Sequence, residues 1–521
     1  MLIAAYTLLC RRPPCVEVYA LRRSYAQLEP WLLEAWRRSE DDVHTTVGLD
    51  DIVFIRIFHQ DLRDLLMEEP QWRGRCCGLR AQAEVGWGMA RQGSLPQAIS
   101  GGRVQRGSWW RPALARAGPY GAVVAGSAFS LRAAFAARVV PVRPSVRTVT
   151  LRFPTSPLLP AGCGENTKDL PAHLFRPFIV SLAALRAPLL AWCKAQAQSR
   201  HRVTAVVSGL FTGWTQPLAA ELGVPHVTFS PSNALHLAVS HSLWRHLPSG
   251  RLPEDADEPV TFPNIPGSPS FPWRQLSWLF TRRVPGDEVS EAIRQFFLWN
   301  LGSACFVVNS FAALDGAYVE RALPDLASKR VFAVGPLSDA VSLCRDRRGG
   351  KPVVPAASVA AWLDAFPDGS AVCVSFGTQH ALSTPQAACV ADALARELGR
   401  GVEILRHRAV GWFLTHCGWN SVLEAAAAGV ALLAWPMGAD QFTNAWLIAA
   451  AGVAMPVAEG AEAVPDAGQM ANAIAAAVGE EGKPVRKRAA ELGKKAVAAV
   501  AEGGSSHGDL EDLVRMLRKV D

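Results

Sequence analysis

The stretch FLTHCGWNSVLEAAAAGVALLAWPMGADQFTN, residues 413–444, decides the fold. Its opening residues belong to an apolar run, VGWFLTH, that reads as a buried strand. His416, Cys417 and Gly418 then form a tight turn, and a helix is expected to start around Asn420 and Ser421. VALLAW reads as the next strand and runs into a second loop that carries Asp440 and Gln441. A strand–turn–helix junction at the carboxyl end of a parallel strand is a standard ligand position. A helix N-terminus offers free N–H groups and a partial positive charge, which suit a phosphate. His416 can donate to the same phosphate, and Asp440 with Gln441 supplies acceptors and donors that match sugar hydroxyls. Each feature also has a plainer reading. Ser421 and Glu424 have capping-box spacing, His416 could be a satisfied core histidine, and the Asp440 loop could be an ordinary solvated turn.

Outward from this stretch the alternation continues. SAVCVSFG reads as a strand leading into SFGTQ, residues 375–379, where Gly377 permits close backbone approach and Thr378 offers a hydroxyl and an N–H. PQAACVADALAREL and AAWLDAF read as helices. Further upstream, VRTVTLRF, RVTAVVSGLF, VPHVTFS, CFVVNSF and RVFAVGPL read as strands, with helical segments such as FIVSLAALRAPLLAWCKAQ between them. Two amphipathic helices close the chain. Strands alternating with helices imply parallel sheets, arranged as two doubly wound lobes joined at the charged connector CRDRRGGKP.

The composition agrees with an enzyme-sized globular chain: 521 residues, 50% hydrophobic and 19% charged. No run of eighteen uninterrupted apolar residues occurs, so no membrane span is expected. The 11 cysteines form no CxxC pair, which argues against a zinc site or disulfide framework and for a reducing compartment. The net charge of +7 resides in residues 1–150, with 20 Arg, no Lys and 13 acids. That segment is Arg- and Trp-rich, with one amphipathic piece, LEPWLLEAWRRSEDD, and no nucleic-acid-binding motif. Nucleic acid is therefore not an expected partner.

HCGWNSVLE followed by WPMGADQ resembles the signature of plant family 1 UDP-glycosyltransferases, most like the flavonoid-type glucosyltransferases. The similarity runs over about residues 144–521 and includes PSVRTVTLRFP, FTGWTQPLA, FVVNSF, VFAVGPL and SFGT. The resemblance implies an α/β GT-B fold: two Rossmann-like lobes with parallel sheets, preceded here by an atypical segment. The expected division is 1–143 atypical, 144–342 acceptor lobe, 343–505 UDP-sugar lobe and 506–521 a C-terminal helix. It further implies glucose transfer from UDP-glucose to a phenolic hydroxyl with inversion, using no metal and no cofactor besides the donor. The expected partners are a small phenolic acceptor and the UDP-sugar, and the protein is expected to be a cytoplasmic monomer. By motif, His416, Asn420 and Ser421 would hold the diphosphate, with Thr378 nearby. Trp419 would line the site through the turn, Glu424 would bind the ribose hydroxyls, and Asp440 and Gln441 the sugar hydroxyls.

Three departures stand beside the match. The family base is a His in a Pro-x-x-Gly-His turn, and no Gly-His dipeptide occurs in the chain. The Asp that orients this base falls where Gly209 stands, and a glycine cannot fix an imidazole tautomer. Thirdly, the Trp-Ala-Pro-Gln block expected before Val402 is absent. That block contributes a strand, a helix and the tryptophan on which uracil stacks, a contact worth about 1–3 kcal/mol. Loss of an internal strand is expected to damage a parallel sheet. His226, His236, His241 and His246 lie in the first lobe, and the last three are spaced by five, so they share no helix face. His44 and His59 lie in the atypical segment without positional argument. Three readings follow: an impaired glucosyltransferase, a non-catalytic relative that binds, or an altered translation of an intact gene.

Overall fold

A computed structural model describes residues 122–126, 146–151, 155–161, 163, 170–199, 202–246, 256–337, 356–377, 382–395 and 405–518. Thr378, His44, His59, the LEPWLLEAWRRSEDD piece and the charged connector lie outside them.

The first lobe is built on four parallel strands in the order β3-β4-β7-β8: β3 Val206–Gly209, β4 His226–Ser230, β7 Cys305–Val308 and β8 Val331–Ala333. β4 and β7 are buried at every residue, as expected of central strands covered on both faces. Helices α1 Phe175–Ser181, α2 Arg186–Ala195, α3 Thr215–Glu221, α4 Ala234–His246, α5 Glu288–Asn300 and α6 Ala312–Val319 flank the sheet. The sequence reads one helix over 178–196, but the structure divides it. Pro177 and Pro188 each sit in a first turn, where a missing N–H costs nothing, and a 3-10 turn at Leu182–Leu185 joins the pieces. The run Ala172–Ala195 is long and apolar enough to cross a membrane by length and composition. It also seats Phe178, Ile179, Leu182, Leu185 and Leu189 in the lobe's core.

Two further strands, β1 Ala122–Gly126 and β2 Val146–Thr150, pair in parallel, with Val124 opposite Thr148. β2 is the expected VRTVTLRF strand. Its partner falls in the Arg-rich segment, where no strand is expected from the sequence. A small antiparallel pair, β5 Pro259–Thr261 and β6 Ser270–Pro272, lies in the loop-rich stretch.

The second lobe holds four parallel strands in the order β12-β11-β10-β9: β9 Ala371–Ser375, β10 Val410–Thr415, β11 Ala431–Ala434 and β12 Ala454–Pro456. α7 Ala356–Leu363, α8 Thr384–Ala395, α9 Trp419–Ala428, α10 Gln441–Ala450, α11 Ala467–Val478, α12 Lys483–Val500 and α13 Ser505–Arg518 complete the chain. The expected damage to this sheet does not occur. β9 pairs directly with β10, from Ala371 opposite Val410 to Ser375 opposite Thr415, so the shortened connection closes as one βαβ crossover through α8. The shortening falls outside the ladder and leaves β9 at its edge among the described residues.

Two features fix the lobes to one another. Leu314 of α6 shares an apolar seam with Val422, Ala426, Ile448 and Leu492 of the second lobe. At the chain's end, α13 returns to the first lobe. Leu510 and Leu513 pack with Val227, Phe229 and Phe332, the amide of Ala333 donates to Asp509, and Arg330 reaches Asp509 and Asp512 at 3.3 and 2.8 Å. The exposed ion pairs contribute little by themselves, and the buried leucines anchor the helix.

α12 crosses beneath α9 at a contact of two glycines. A Cβ on Gly493 would lie 2.8 Å from Gly429 Cα and 3.0 Å from the Ala426 carbonyl, all backbone atoms that cannot yield. Gly493→Ala is expected to cost about 1–3 kcal/mol and lower Tm. Gly508→Ala, where a Cβ meets nothing within 4 Å inside α13, is expected to raise stability by about 0.5–1 kcal/mol. Opposite signs in calorimetry confirm the crossing. Asp315 of α6 provides a second check. Burial pushes its carboxyl up to about 7 against the amide of Ala234 that it accepts at 2.6 Å. Between the ordinary carboxylate value and 7 the unfolded chain ionises while the folded one keeps the proton, so stability falls as pH rises through that window. Asp315→Asn removes this loss, and its Tm relative to the unaltered chain is expected to climb from pH 4.5 to 7.

Candidate functional site

β10 is buried along its whole length and ends at Thr415. The chain must then reverse into α9, which buries Val422, Leu423, Ala425 and Ala426. Only three residues make the turn, and Cys417 takes the left-handed region at φ +63°. Such a conformation costs a non-glycine residue about 1–2 kcal/mol. Burial and the amide of Asn444, which donates to the Cys417 carbonyl at 2.9 Å, hold it there. The thiol is fully buried and pushed up to about 12, so it is no nucleophile.

The helix starts at Trp419, one residue before the expected start, with Gly418 at its cap. Ser421 is therefore the third helical residue, and the capping-box reading is wrong because the cap residue is Gly418, which has no side chain to accept from the first amides. The first amides of α9 point outward without helical partners. Asn420, Ser421 and Glu424 lie half-buried over its first two turns, with Asn420 and Glu424 one turn apart. The Glu424 charge, after burial, helps to keep the Cys373 thiol of β9 protonated. His416 is buried with its Nδ1 3.3 Å from the Thr415 hydroxyl. Its ring is clasped by two glycines: a Cβ on Gly418 would lie 2.4 Å from Nε2, and one on Gly377, at φ +68°, 2.8 Å from the ring. The close approach anticipated for Gly377 is thus toward His416. Trp419 places its amide at the helix start, but its indole is buried and donates to the Asn309 carbonyl of the first lobe at 2.6 Å.

The second loop turns through Ala439 at φ +54° and begins α10 at Gln441. Gln441 Oε1 accepts from the amides of Met437 and Gly438 at 2.8 and 3.0 Å, which identifies that atom as oxygen and leaves Nε2 to donate. Asp440 is half-buried, and its Oδ2 accepts from Ser232 of the first lobe at 2.8 Å. The loop can therefore offer one carboxylate acceptor and one amide donor, a match for two neighbouring hydroxyls. Asn233 donates to Asn444 at 2.6 Å, and His236 Nδ1 lies 3.0 Å from Thr443 Oγ1. Ser232, Asn233, Asn309 and Asn444 were not singled out in the sequence. The one available signal was Asn444, four positions after Asp440 at the end of the polar first turn of α10.

The end of β3 carries no carboxylate: Gly209 stands there, and its carbonyl accepts from Thr212 at 2.8 Å. None of the described first-lobe histidines takes the place of the missing base. His226 is knotted under the sheet to Ser208, Thr215 and Ser303 at 2.8–2.9 Å, and burial pushes it down to about 4. The three histidines of α4 diverge as their spacing demands. His236 faces α10, burial lowers its pKa against the opposing pull of Asp440, and Nε2 lies 3.3 Å from Ser240. His241 lies between Phe297 and Phe306 with Nδ1 bonded to the Leu237 carbonyl, and it too is pushed down to about 4. His246 approaches Asp325 at 3.6 Å. No group of three metal-ligating side chains occurs among the described residues.

The family model for UDP-glucoronosyl and UDP-glucosyl transferases matches residues 400–482. A UDP-glycosyltransferase 89B2 from Stevia rebaudiana is 39% identical over 410 residues, 71% of this chain and 86% of that protein. The flavonol 3-O-glucosyltransferase UGT89B1 of Arabidopsis thaliana is 37% identical over the same length and 84% covered. Among solved structures, Arabidopsis thaliana UGT89C1 complexed with UDP-L-rhamnose superposes with a TM-score of 0.60 at 28% identity, over 78% of this chain and 95% of that one. The same enzyme has been solved complexed with quercetin.

Loss of the His416 seat is testable without turnover. Gly418→Ala keeps an allowed backbone but drives the imidazole from its place. UDP affinity of the folded variant by calorimetry is expected to fall about tenfold, the effect of one hydrogen bond to a charged group, and Tm to fall as well because the added methyl overpacks the turn. An unchanged affinity would separate His416 from the phosphate.

Proposed function

The chain belongs to the UDP-glycosyltransferase family, and from that premise we propose that it takes UDP-glucose as donor and a flavonoid-like phenol as acceptor, with impaired turnover. The observation that carries the donor half is the uncapped N-terminus of α9, with His416, Asn420, Ser421 and Glu424 gathered about it and Asp440 and Gln441 on the neighbouring loop. The leaving diphosphate gains charge as the anomeric C–O bond breaks. Fixed amides and a helix dipole aimed at that charge need no reorganisation during the reaction. Gln441 at the end of WPMGADQ supports glucose, and the flavonol-glucosylating relative supports a phenolic acceptor.

The acceptor half carries the impairment. A phenol must lose its proton as its oxygen attacks the anomeric carbon, and a positioned base typically contributes 10²–10⁴-fold. Gly209 replaces the carboxylate that would orient such a base, and His226, His236 and His241 are each engaged by other partners within the fold. A phenol of low pKa could still react slowly, ionised by solvent. A second reading draws on the same observation: a family member that retains UDP-sugar and phenol without turning them over.

With UDP-glucose and quercetin, the purified chain is expected to release UDP about a hundredfold or more slowly than its Stevia relative. Turnover at the relative's rate would sink the impaired reading. Complete absence of turnover with UDP-glucose still bound would favour the binding reading. Gly209→Asp alone is expected to restore nothing, because no imidazole awaits it; a large rescue would reveal a base elsewhere in the chain.

A further inference from the structure

One polar contact joins the sugar-facing loop to the opposite lobe. Ser232 follows β4 and is 5% exposed; its hydroxyl donates to Asp440 Oδ2 at 2.8 Å. Two contacts beside it run from the same first turn of α4 to the first turn of α10: Asn233 to Asn444 at 2.6 Å, and His236 to Thr443 at 3.0 Å. Asn444 in turn holds the carbonyl of Cys417 in the phosphate turn, and the Thr443 hydroxyl donates to the Asp440 carbonyl at 2.7 Å. The Ser232 contact is thus one rung of a three-rung seam that fixes the two helix ends in register.

A free carboxylate rotates easily about its last torsion, whose preference is broad and two-fold. With Oδ2 held by Ser232 that rotation is stopped. Oδ1 makes no hydrogen bond among the described residues and belongs to a half-buried side chain. The neighbouring Gln441 is similarly fixed through Oε1, which leaves its Nε2 to give.

We propose that Ser232, from the acceptor lobe, is a positioning residue for the donor sugar: it locks Asp440 so that Oδ1 meets a sugar hydroxyl in one orientation. The inference rests on the donor reading above and adds a residue from the other lobe to it. Through Asp440 it makes recognition of the sugar depend on the register of the two lobes.

The test compares UDP and UDP-glucose binding to the full chain by calorimetry, with no turnover required. Ser232→Ala is expected to lower UDP-glucose affinity about tenfold and leave UDP affinity unchanged. Ser232→Thr, which keeps the hydroxyl, is expected to restore it. Asp440→Ala should show at least as large a loss, and the Ser232→Ala/Asp440→Ala pair no more than that single loss, since both remove the same contact. Equal weakening of UDP and UDP-glucose would assign Ser232 a purely structural role and overturn the proposal. No change in either would overturn it as well, as would an unaltered chain that binds UDP-glucose no better than UDP. Failure of the unaltered chain to bind UDP at all would instead remove the donor reading, and this inference with it.

Discussion

A strand buried from end to end must become a helix within three residues, and the site depends on that constraint. β10 is flanked by β9 and β11 in parallel ladders that both run unbroken from Trp412 to Thr415, so its end is held on both sides. α9 is held equally hard by its apolar face and by the glycine crossing with α12. The turn between them has no slack, and Cys417 is forced into a backbone region that its side chain disfavours. The cost of about 1–2 kcal/mol is small beside the burial on both sides. What results is a set of outward amides and an imidazole whose positions are set before any ligand arrives.

The same rigidity extends into the other lobe. Trp419 anchors on Asn309, Asp440 on Ser232 and Asn444 on Asn233, while Leu314 occupies an apolar seam of the second lobe. α13 crosses back to pack on β8. The turn at His416–Gly418 is therefore held partly by residues more than 100 positions away. Hydrogen bonds of this buried kind are costly to leave half-made, which favours one register of the lobes over a continuum.

How much of this was legible follows from locality. The strand–turn–helix at 413–428 could be read because apolar periodicity, a glycine and a helix face lie in one short text. His416, Asn420, Ser421 and Glu424 fall within it, and Asp440 and Gln441 in the loop after the next strand. Thr378 lies outside the described residues, so its role stays a matter of resemblance. The capping box failed because the helix begins before Ser421; helix boundaries are set by tertiary packing as much as by residue type. The seam was invisible because a serine, an asparagine and a histidine at 232–236 have no pattern until the fold brings 440–444 against them. The expectation of a broken sheet failed for a topological reason. A crossover may lose length without cost to the ladder when the strands it joins are already neighbours, and β9 and β10 are.

On the proposed reading, locality also separates the donor half from the acceptor half. The donor set is encoded in one contiguous stretch whose residues are needed to fold the second lobe in any case. Trp419 is core, Gly418 admits His416, and Asn444 holds the turn. Substituting them would cost stability as well as binding. A base, by contrast, must be brought from one loop and oriented by a carboxylate on another, and neither residue is needed to build the sheet. Gly209 shows how little the fold objects: β3 keeps its ladder with β4, and its last carbonyl is satisfied by Thr212. On the proposed reading, a chain of this architecture can change at the end of β3 while the turn at 416–418 persists, because packing protects one and not the other.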